Sequence, residues 1–227
     1  MNLLALDTAT EMLSLAVSAG ERMRERTIVA GQRHAELIVG EIDALLGQAG
    51  LTVRDLNGIA YGAGPGSFTG LRIACGVAQG IAAARGIPVL GIGTLAAMAA
   101  SVDADRVVAC LDARMGEVYH AAYEKRAGAQ FSDMREVIPP GLHRPDAVPL
   151  PPGSGWIGCG AGFAAYRAAL EARHGGVLSA IVPDVVPSAA AMLRLAAPRF
   201  AAGEGADPAL ASPMYVRDRV ALKTAER

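Results

Sequence analysis

The chain has 227 residues, of which 52% are apolar and only 4% aromatic, with a mean hydropathy of +0.31 and a formal net charge of −1. That length admits one large domain or two small lobes, and the apolar excess is alanine scattered among Gly, Arg and Glu, never a run of the ~18 residues a membrane helix needs. Near-neutral charge and few rings exclude a broad phosphate-binding field or a base-stacking platform on this chain alone, and the opening Met1-Asn2-Leu3-Leu4-Ala5-Leu6-Asp7 reads as a buried strand rather than a secretion leader, so a soluble cytoplasmic protein without membrane attachment is expected.

Residues 3–7 are apolar up to an acid. Leu13, Leu15 and Val17 then alternate with Ser14, Ala16 and Ser18, which predicts two strands joined by the turn Thr8-Ala9-Thr10-Glu11. A third strand is expected around 25–30. From Arg33 to Gly47, the residues His34, Ile38, Ile42, Leu45 and Leu46 share one face of an amphipathic helix that Gly47 and Gly50 stop. A short buried strand at 58–61 precedes Gly62-Ala63-Gly64-Pro65-Gly66-Ser67-Phe68-Thr69-Gly70, a stretch too rich in glycine and proline for helix or strand. It runs into a helix over 71–85 capped by Gly86. A strand at 88–92 follows, then a short helix N-capped by Thr94 and reaching Ala100, then two strands at 107–112 and 118–123 paired across Arg114-Met115-Gly116-Glu117.

Six of the thirteen prolines fall between Pro139 and Pro152, the mark of an exposed, stiff connection. Beyond it a strand at 156–159, a helix at 163–173 and an alanine-rich helix at 188–201 are expected. The alternation of strand and helix predicts an α/β fold. The division expected is an N-terminal lobe, 1–104, and a C-terminal lobe, 105–227, that includes the connection 139–152. Three opening strands followed by helix and strand are compatible with a duplicated architecture whose second half opens near Val107.

The glycine-rich stretch admits two readings. Its backbone N–H groups and the following helix N-terminus can cradle a phosphate, with Ser67 and Thr69 adding hydroxyls; equally, the residues need only form a tight turn that lets the helix approach the sheet. No Gly-Lys-Ser/Thr follows, which excludes a P-loop hydrolase, and G-x-S-x-G is not met around Ser67, which speaks against a serine hydrolase. Asp7, with Thr8 and Thr10 beside it, stands where a metal–phosphate enzyme keeps an acid, or simply caps a turn. His34 lacks a second histidine at position 38, and His120, His143 and His174 are isolated in sequence, so no metal site is expected. The three cysteines, Cys75, Cys110 and Cys159, form no C-x-x-C pair and read as core fillers. Arg217, Arg219, Lys223 and Arg227 read as a solvated basic end.

On the helix from Gly70, small residues recur every fourth position. Gly70, Ala74, Ala78 and Ala82 form one smooth row, and Gly76, Gly80 and Ala84 form another, so that one row can pack on the sheet and the second can serve a neighbouring subunit.

Five segments together resemble the TsaB (YeaZ) family: Leu3-Leu4-Ala5-Leu6-Asp7-Thr8-Ala9-Thr10, Arg33-His34-Ala35-Glu36, Gly64-Pro65-Gly66-Ser67-Phe68-Thr69-Gly70-Leu71-Arg72, Gly91-Ile92-Gly93-Thr94-Leu95 and Leu111-Asp112-Ala113-Arg114-Met115-Gly116-Glu117-Val118-Tyr119. Pro213-x-Tyr215-x-Arg217 resembles the family's tail. The resemblance implies the two-lobed actin-like ATPase fold, of ribonuclease H-like type, and a part in placing threonylcarbamoyl on N6 of the adenosine next to the tRNA anticodon. It implies pairing with TsaD, the catalytic paralogue that uses threonylcarbamoyl-AMP, and with TsaE, a small ATPase, and contact with tRNA only through the assembly. An older M22 glycoprotease label attaches to both paralogues.

The paralogue carries an H-x-x-x-H metal pair after its own glycine loop; here the corresponding stretch is Thr94-Leu95-Ala96-Ala97-Met98, and neither Thr94 nor Met98 replaces imidazole as a ligand. Gly158-Cys159-Gly160-Ala161-Gly162 resembles a nucleotide-contact loop but is poor in polar groups. The expectation is therefore a pseudo-enzyme with no catalytic residue and no metal, in which Asp7, Gly64, Gly66, Ser67 and Thr69 form a vestigial phosphate loop. No cofactor is expected to bind tightly, ATP or ADP being left to a composite site in the complex. The partner surface expected is the first two helices, with His34, Leu37, Ile38, Arg72, Cys75, Ala78 and Gln79 in contact with TsaD, or with a second copy in a homodimer when the chain is alone. The competing expectation is an actin-like ATPase or phosphotransferase acting through Asp7 and the glycine loop.

Overall fold

The computed structural model describes residues 1–125 and 134–216. The chain opens with three antiparallel strands, β1 (Asn2–Asp7), β2 (Met12–Ala19) and β3 (Arg22–Val29). Helix α1 (His34–Gln48) leads to β4 (Gly58–Gly64), parallel to β1, and α2 (Phe68–Arg85) leads to β5 (Val89–Gly93), parallel to β4. The first sheet thus has the order β3-β2-β1-β4-β5. After the short α3 (Thr94–Ala99) the same plan is laid down again. Strands β6 (Arg106–Asp112), β7 (Val118–Lys125) and β8 (Met134–His143) are antiparallel, and β9 (Trp156–Cys159) runs parallel to β6. Helices α4 (Ala161–Ala165) and α5 (Arg167–His174) then lead to β10 (Leu178–Val182), parallel to β9, which gives the order β10-β9-β6-β7-β8. The last helix is α6 (Ala189–Ala201).

Both faces of each sheet are covered, which explains why Leu3-Leu4-Ala5-Leu6 is continuously apolar instead of alternating. Leu4, Leu6, Leu13 and Leu15 face α1 and α2 through Ile38, Leu45, Ala74 and Ala78. Leu3, Ala5, Ala16 and Ala60 face α6 through Ala189, Met192, Leu193 and Ala196. Helix α3 packs on the inner face of the second sheet, Leu95, Met98 and Ala99 against Val107, Ala109 and Ala121. The outer face is closed by Phe163 of α4 and Leu170 of α5 over Val108, Cys110 and Ala122. Among the described residues no helix is long and apolar enough to cross a membrane.

Several expectations from the sequence are corrected. Gly62, Ala63 and Gly64 are not loop but the end of β4, and α2 begins at Phe68, earlier than the periodicity suggests. Glycine is required in that strand because the Asp7 side chain crosses it: a Cβ on Gly62 would stand 1.9 Å from Asp7 Oδ2. Pro139 and Pro140 lie inside β8 and not in a connection; β8 is the outermost strand, where a missing ladder donor is tolerated. The helix expected at 163–173 is two, broken at Tyr166, whose φ is −128. Thr94 is not the cap of α3; Gly93 occupies that position and the Thr94 hydroxyl is buried without a protein partner.

The division at 104/105 also fails as a purely sequential boundary. Helix α6 and the segment after it return to the first lobe, where Ala206 pairs with Val89 and the Met214 N–H donates to the Ala63 carbonyl at 2.6 Å. Residues 206–216 form a strap along α2. Its bonds are from Gln79 Nε2 to the Pro208 and Ala211 carbonyls at 3.0 and 3.2 Å, and from Tyr61 Oη to the Ser212 carbonyl at 3.2 Å. Arg72 Nε closes its end by donating to Tyr215 Oη at 3.0 Å.

Candidate functional site

Asp7 ends β1 and is fully enclosed, 1% exposed. Its Oδ1 accepts the Ala9 N–H at 2.9 Å, whereas Oδ2 has no protein partner. Burial of the carboxylate, only partly offset by that hydrogen bond, pushes the Asp7 pKa up to about 6. The glycine loop is laid against the same turn. The Ser67 N–H donates to the Ala9 carbonyl at 2.7 Å, the Thr8 hydroxyl donates to the Gly70 carbonyl at 2.6 Å, and Ser67 Oγ caps α2 by accepting the Gly70 N–H at 3.3 Å. A Cβ on Gly66 would stand 2.6 Å from the Ala9 carbonyl, and one on Gly70 only 1.9 Å from the Thr8 carbonyl. Gly64, at φ +115, is covered by the strap, since a Cβ there would lie 2.8 Å from the Met214 carbonyl.

The structure therefore brings Asp7, Gly64, Gly66 and Ser67 together, but as a packed joint. A phosphate cradle needs free N–H groups and open backbone. Here the Ser67 N–H is spent on the Ala9 carbonyl, the Ser67 hydroxyl accepts the Gly70 N–H, and the glycines admit neighbouring main chain, so the loop is packed against its own turn where a phosphate cradle would be open. Ser67, Phe68 and Thr69 stay exposed at the start of α2.

Thr94, Met98 and the glycines after β9 are packed closely too. Thr94 and Met98 are both 0% exposed. The Met98 methyl lies 2.2 Å from the position of a Cβ on Gly160, and the Cys110 carbonyl is 2.5 Å from it. Gly158 is packed by the Phe163 ring and Gly162 by the Cys110 thiol. Gly158 and Gly162 thus serve close packing within the second lobe, and Gly160 lets Met98 of α3 approach it. Cys110 and Cys159 are buried with thiol pKa values raised by burial, that of Cys159 to about 12, as core residues rather than nucleophiles.

On the two helices, the residues expected to meet a partner divide. Ile38, Cys75 and Ala78 face the first sheet and are buried, and His34 is buried with Nε2 donating to the Met12 carbonyl at 3.2 Å. The row Gly70-Ala74-Ala78-Ala82 is the core row, because the small side chains let α2 lie close on the strands. Gln79 and Arg72 are engaged by the strap, Arg72 also lying over the Phe68 ring at 3.8 Å. Leu37 is half-buried at the edge of the core. The outward surface is the second row, Gly76, Gly80 and Ala84, joined by Ala83 and by Val39, Gly40 and Ala44 of α1. Val39 is 65% exposed, and its signal in the sequence was an apolar residue off the buried face of α1.

The histidines are also corrected. His120, His143 and His174, isolated in sequence, converge in the second lobe, with ring centroids 6.2 Å apart for His120–His143 and 5.8 Å for His120–His174. Among the described residues no group of three His, Cys, Asp or Glu has metal-binding geometry. The basic residues Arg217, Arg219, Lys223 and Arg227 lie outside the described residues.

Comparison with known proteins adds the relationship. The profile of the family described as TsaD: tRNA N6-adenosine threonylcarbamoyltransferase matches residues 28–223. The tRNA threonylcarbamoyladenosine biosynthesis protein TsaB of Escherichia coli is 35% identical, covering 98% of this chain and 97% of its own length. TsaB of Haemophilus influenzae is 33% identical, covering 98% of this chain and 96% of its own. YeaZ from Pseudomonas aeruginosa superposes with a TM-score of 0.86 at 36% identity, over 94% of this chain and 99% of that one. A further solved structure, described as an uncharacterized Pseudomonas aeruginosa protein with similarity to peptidase YEAZ, gives a TM-score of 0.86 at 35% identity, over 95% of this chain and 99% of that one. Likeness that runs the full length of both chains, on a repeated pair of five-stranded sheets, means that this chain belongs to the TsaB (YeaZ) family, with its TsaD-like, two-lobed actin-like fold.

Proposed function

We propose that this protein is a non-catalytic subunit of the machinery that makes N6-threonylcarbamoyladenosine in tRNA. It binds TsaD and stabilises the arrangement in which TsaD transfers threonylcarbamoyl from threonylcarbamoyl-AMP to the adenosine next to the anticodon. The observation that carries this reading is the close packing of Met98 and of the glycine loop. Met98 packs against Gly160 and the Ser67 N–H is bonded to the Ala9 carbonyl, and this packing supports a role without an acyl-donor or metal site in this chain. What remains available is surface. The partner face is the outward row Gly76-Gly80-Ala83-Ala84 of α2 with Val39, Gly40 and Ala44 of α1, smooth enough for a partner helix to approach at the short end of the usual interaxial range.

Alone, the chain covers that face with a second copy of itself, a two-fold pairing of identical helices. In the assembly TsaE joins the pair, ATP or ADP sits in a composite site and not in this chain, and tRNA is held by the complex. The protein acts in the cytoplasm, where tRNA is modified. Reconstituted modification of tRNA by TsaD and TsaE, with and without this chain, tests the reading. Dependence on the chain, combined with no ATP turnover and no proteolysis by the chain alone, is expected. ATP hydrolysis by the isolated chain that Asp7→Ala abolishes would sink it.

A further inference from the structure

His120 lies at the centre of the second lobe's outer layer and is fully enclosed. On β7 it stands opposite Cys110 of β6 on one side and Gly141 of β8 on the other. His143, at the end of β8, and His174, in the last turn of α5, bring their rings to it, and the Phe163 ring of α4 lies 5.8 Å from that of His174. His174 Nδ1 donates to the Leu170 carbonyl at 2.8 Å, which makes its Nε2 the lone-pair nitrogen of the neutral ring. That Nε2 and both nitrogens of His120 are buried with no protein partner. Beside the trio stand the Cys110 thiol, whose pKa burial raises, and the cationic Arg173 of α5, which donates to the Val148 carbonyl at 2.9 Å. Among the described residues no carboxylate bears on any of the three rings.

The ladder is irregular at this point. The register of β7 with β8 shifts between His120 and Ala122 and again between Ala122 and Tyr123, so the outermost strand is bulged beside the trio. We propose that His120, His143 and His174 form an acid-released latch, which holds β8 and α5 on β7 only while all three imidazoles are neutral. A proton on His120 sets a buried cation against two further rings, and one on His143 or His174 sets a cation against the His120 ring. The low-cost response is to open the edge strand and the short helix, exposing the rings to water, while the first lobe stays closed.

The sign of the effect follows from linkage. Burial, then the neighbouring rings, lower the His120 pKa to about 3, and burial lowers those of His143 and His174 from their ordinary value of 6.5. Above that ordinary value both closed and open forms are neutral and nothing is lost. As pH falls through it the open form gains protons that the closed form refuses, favouring opening by roughly tenfold per pH unit for each histidine concerned.

Hydrogen exchange of the whole chain at pH 7.5 and pH 5.5, corrected for the intrinsic exchange rate, tests the latch. The expected result is a loss of protection of at least about tenfold in 134–143 and 167–174 with β1 and β4 unchanged. His120→Phe, which removes the central ring, is expected to reduce the acid response, leaving only the part that His143 and His174 carry. Should that variant not fold, His143→Gln, at a partly exposed position, is expected to reduce the response. Equal loss of protection in both lobes, or a wild-type response in the variant that folds, would overturn the proposal.

Discussion

The methyl group of Met98 lies 2.2 Å from the place a Cβ on Gly160 would take, so the helix after β5 and the loop after β9 close the cleft between the lobes by direct contact. Gly160 is also at φ +97, where a side chain is strained. Gly160→Ala is therefore expected to destabilise the protein by about 3 kcal/mol, the sum of overpacking and backbone strain, read as a lower urea midpoint. The double substitution Thr94→His with Met98→His puts two large polar rings where both residues are fully buried. Loss of stability with no gain of zinc affinity in calorimetry is the expected result. A stable variant that binds zinc tightly would show that the cleft has room for a metal.

Rows on α2 make opposite predictions. A Cβ on Gly76 or Gly80 meets nothing within 4 Å, and replacing helical glycine adds about 1 kcal/mol of helix propensity. Gly76→Arg and Gly80→Arg should fold normally, yet weaken association with TsaD on the order of 100-fold, because an unpaired charge buried in a close helix contact costs about 3 kcal/mol or more. Ala78→Arg, in the core row, should unfold the chain. Co-purification and circular dichroism on the three variants separate the effects.

Asp7 gives a pH-dependent prediction. Its folded pKa of about 6 lies above its ordinary 3.8, so the buried group contributes most to stability below the ordinary value and that contribution is lost as pH rises through 6. Asp7→Asn keeps the acceptor for the Ala9 N–H and removes the buried charge. The variant should compare more favourably with the parent at pH 8 than at pH 4, by about 3 kcal/mol across that range. A difference independent of pH in urea unfolding would contradict the assignment of desolvation as the main cause.

The strap is held in part by Tyr61, whose hydroxyl donates to the Ser212 carbonyl at 3.2 Å and accepts the Ser212 N–H at 3.1 Å. Tyr61→Phe removes both bonds at a cost of about 1–3 kcal/mol. Faster limited proteolysis within 206–216, with the two sheets intact, is the expected readout. Unchanged cleavage would mean that Gln79 and Arg72 hold the strap without it.

Much of the architecture was legible in the residues because local rules govern it. The apolar run of β1, the period of α1, the cap at Gly86 and the hairpin after Asp112 follow from burial pattern and turn chemistry over a few neighbours. Strand β8 escaped because its prolines read as a linker, and only its place at the edge of the second sheet makes them harmless.

By itself, then, the sequence determined the element types, the family resemblance and the absence of imidazoles at 94 and 98. Tertiary structure alone decided which row of α2 faces the core, that 206–216 turns back over it, that the glycine loop donates to Ala9 and accepts from Thr8, and that His120, His143 and His174 meet. The reason is that each of these depends on contacts between residues far apart in the chain, such as the 62 positions from Thr8 to Gly70, and no local period encodes which distant surface a residue will touch.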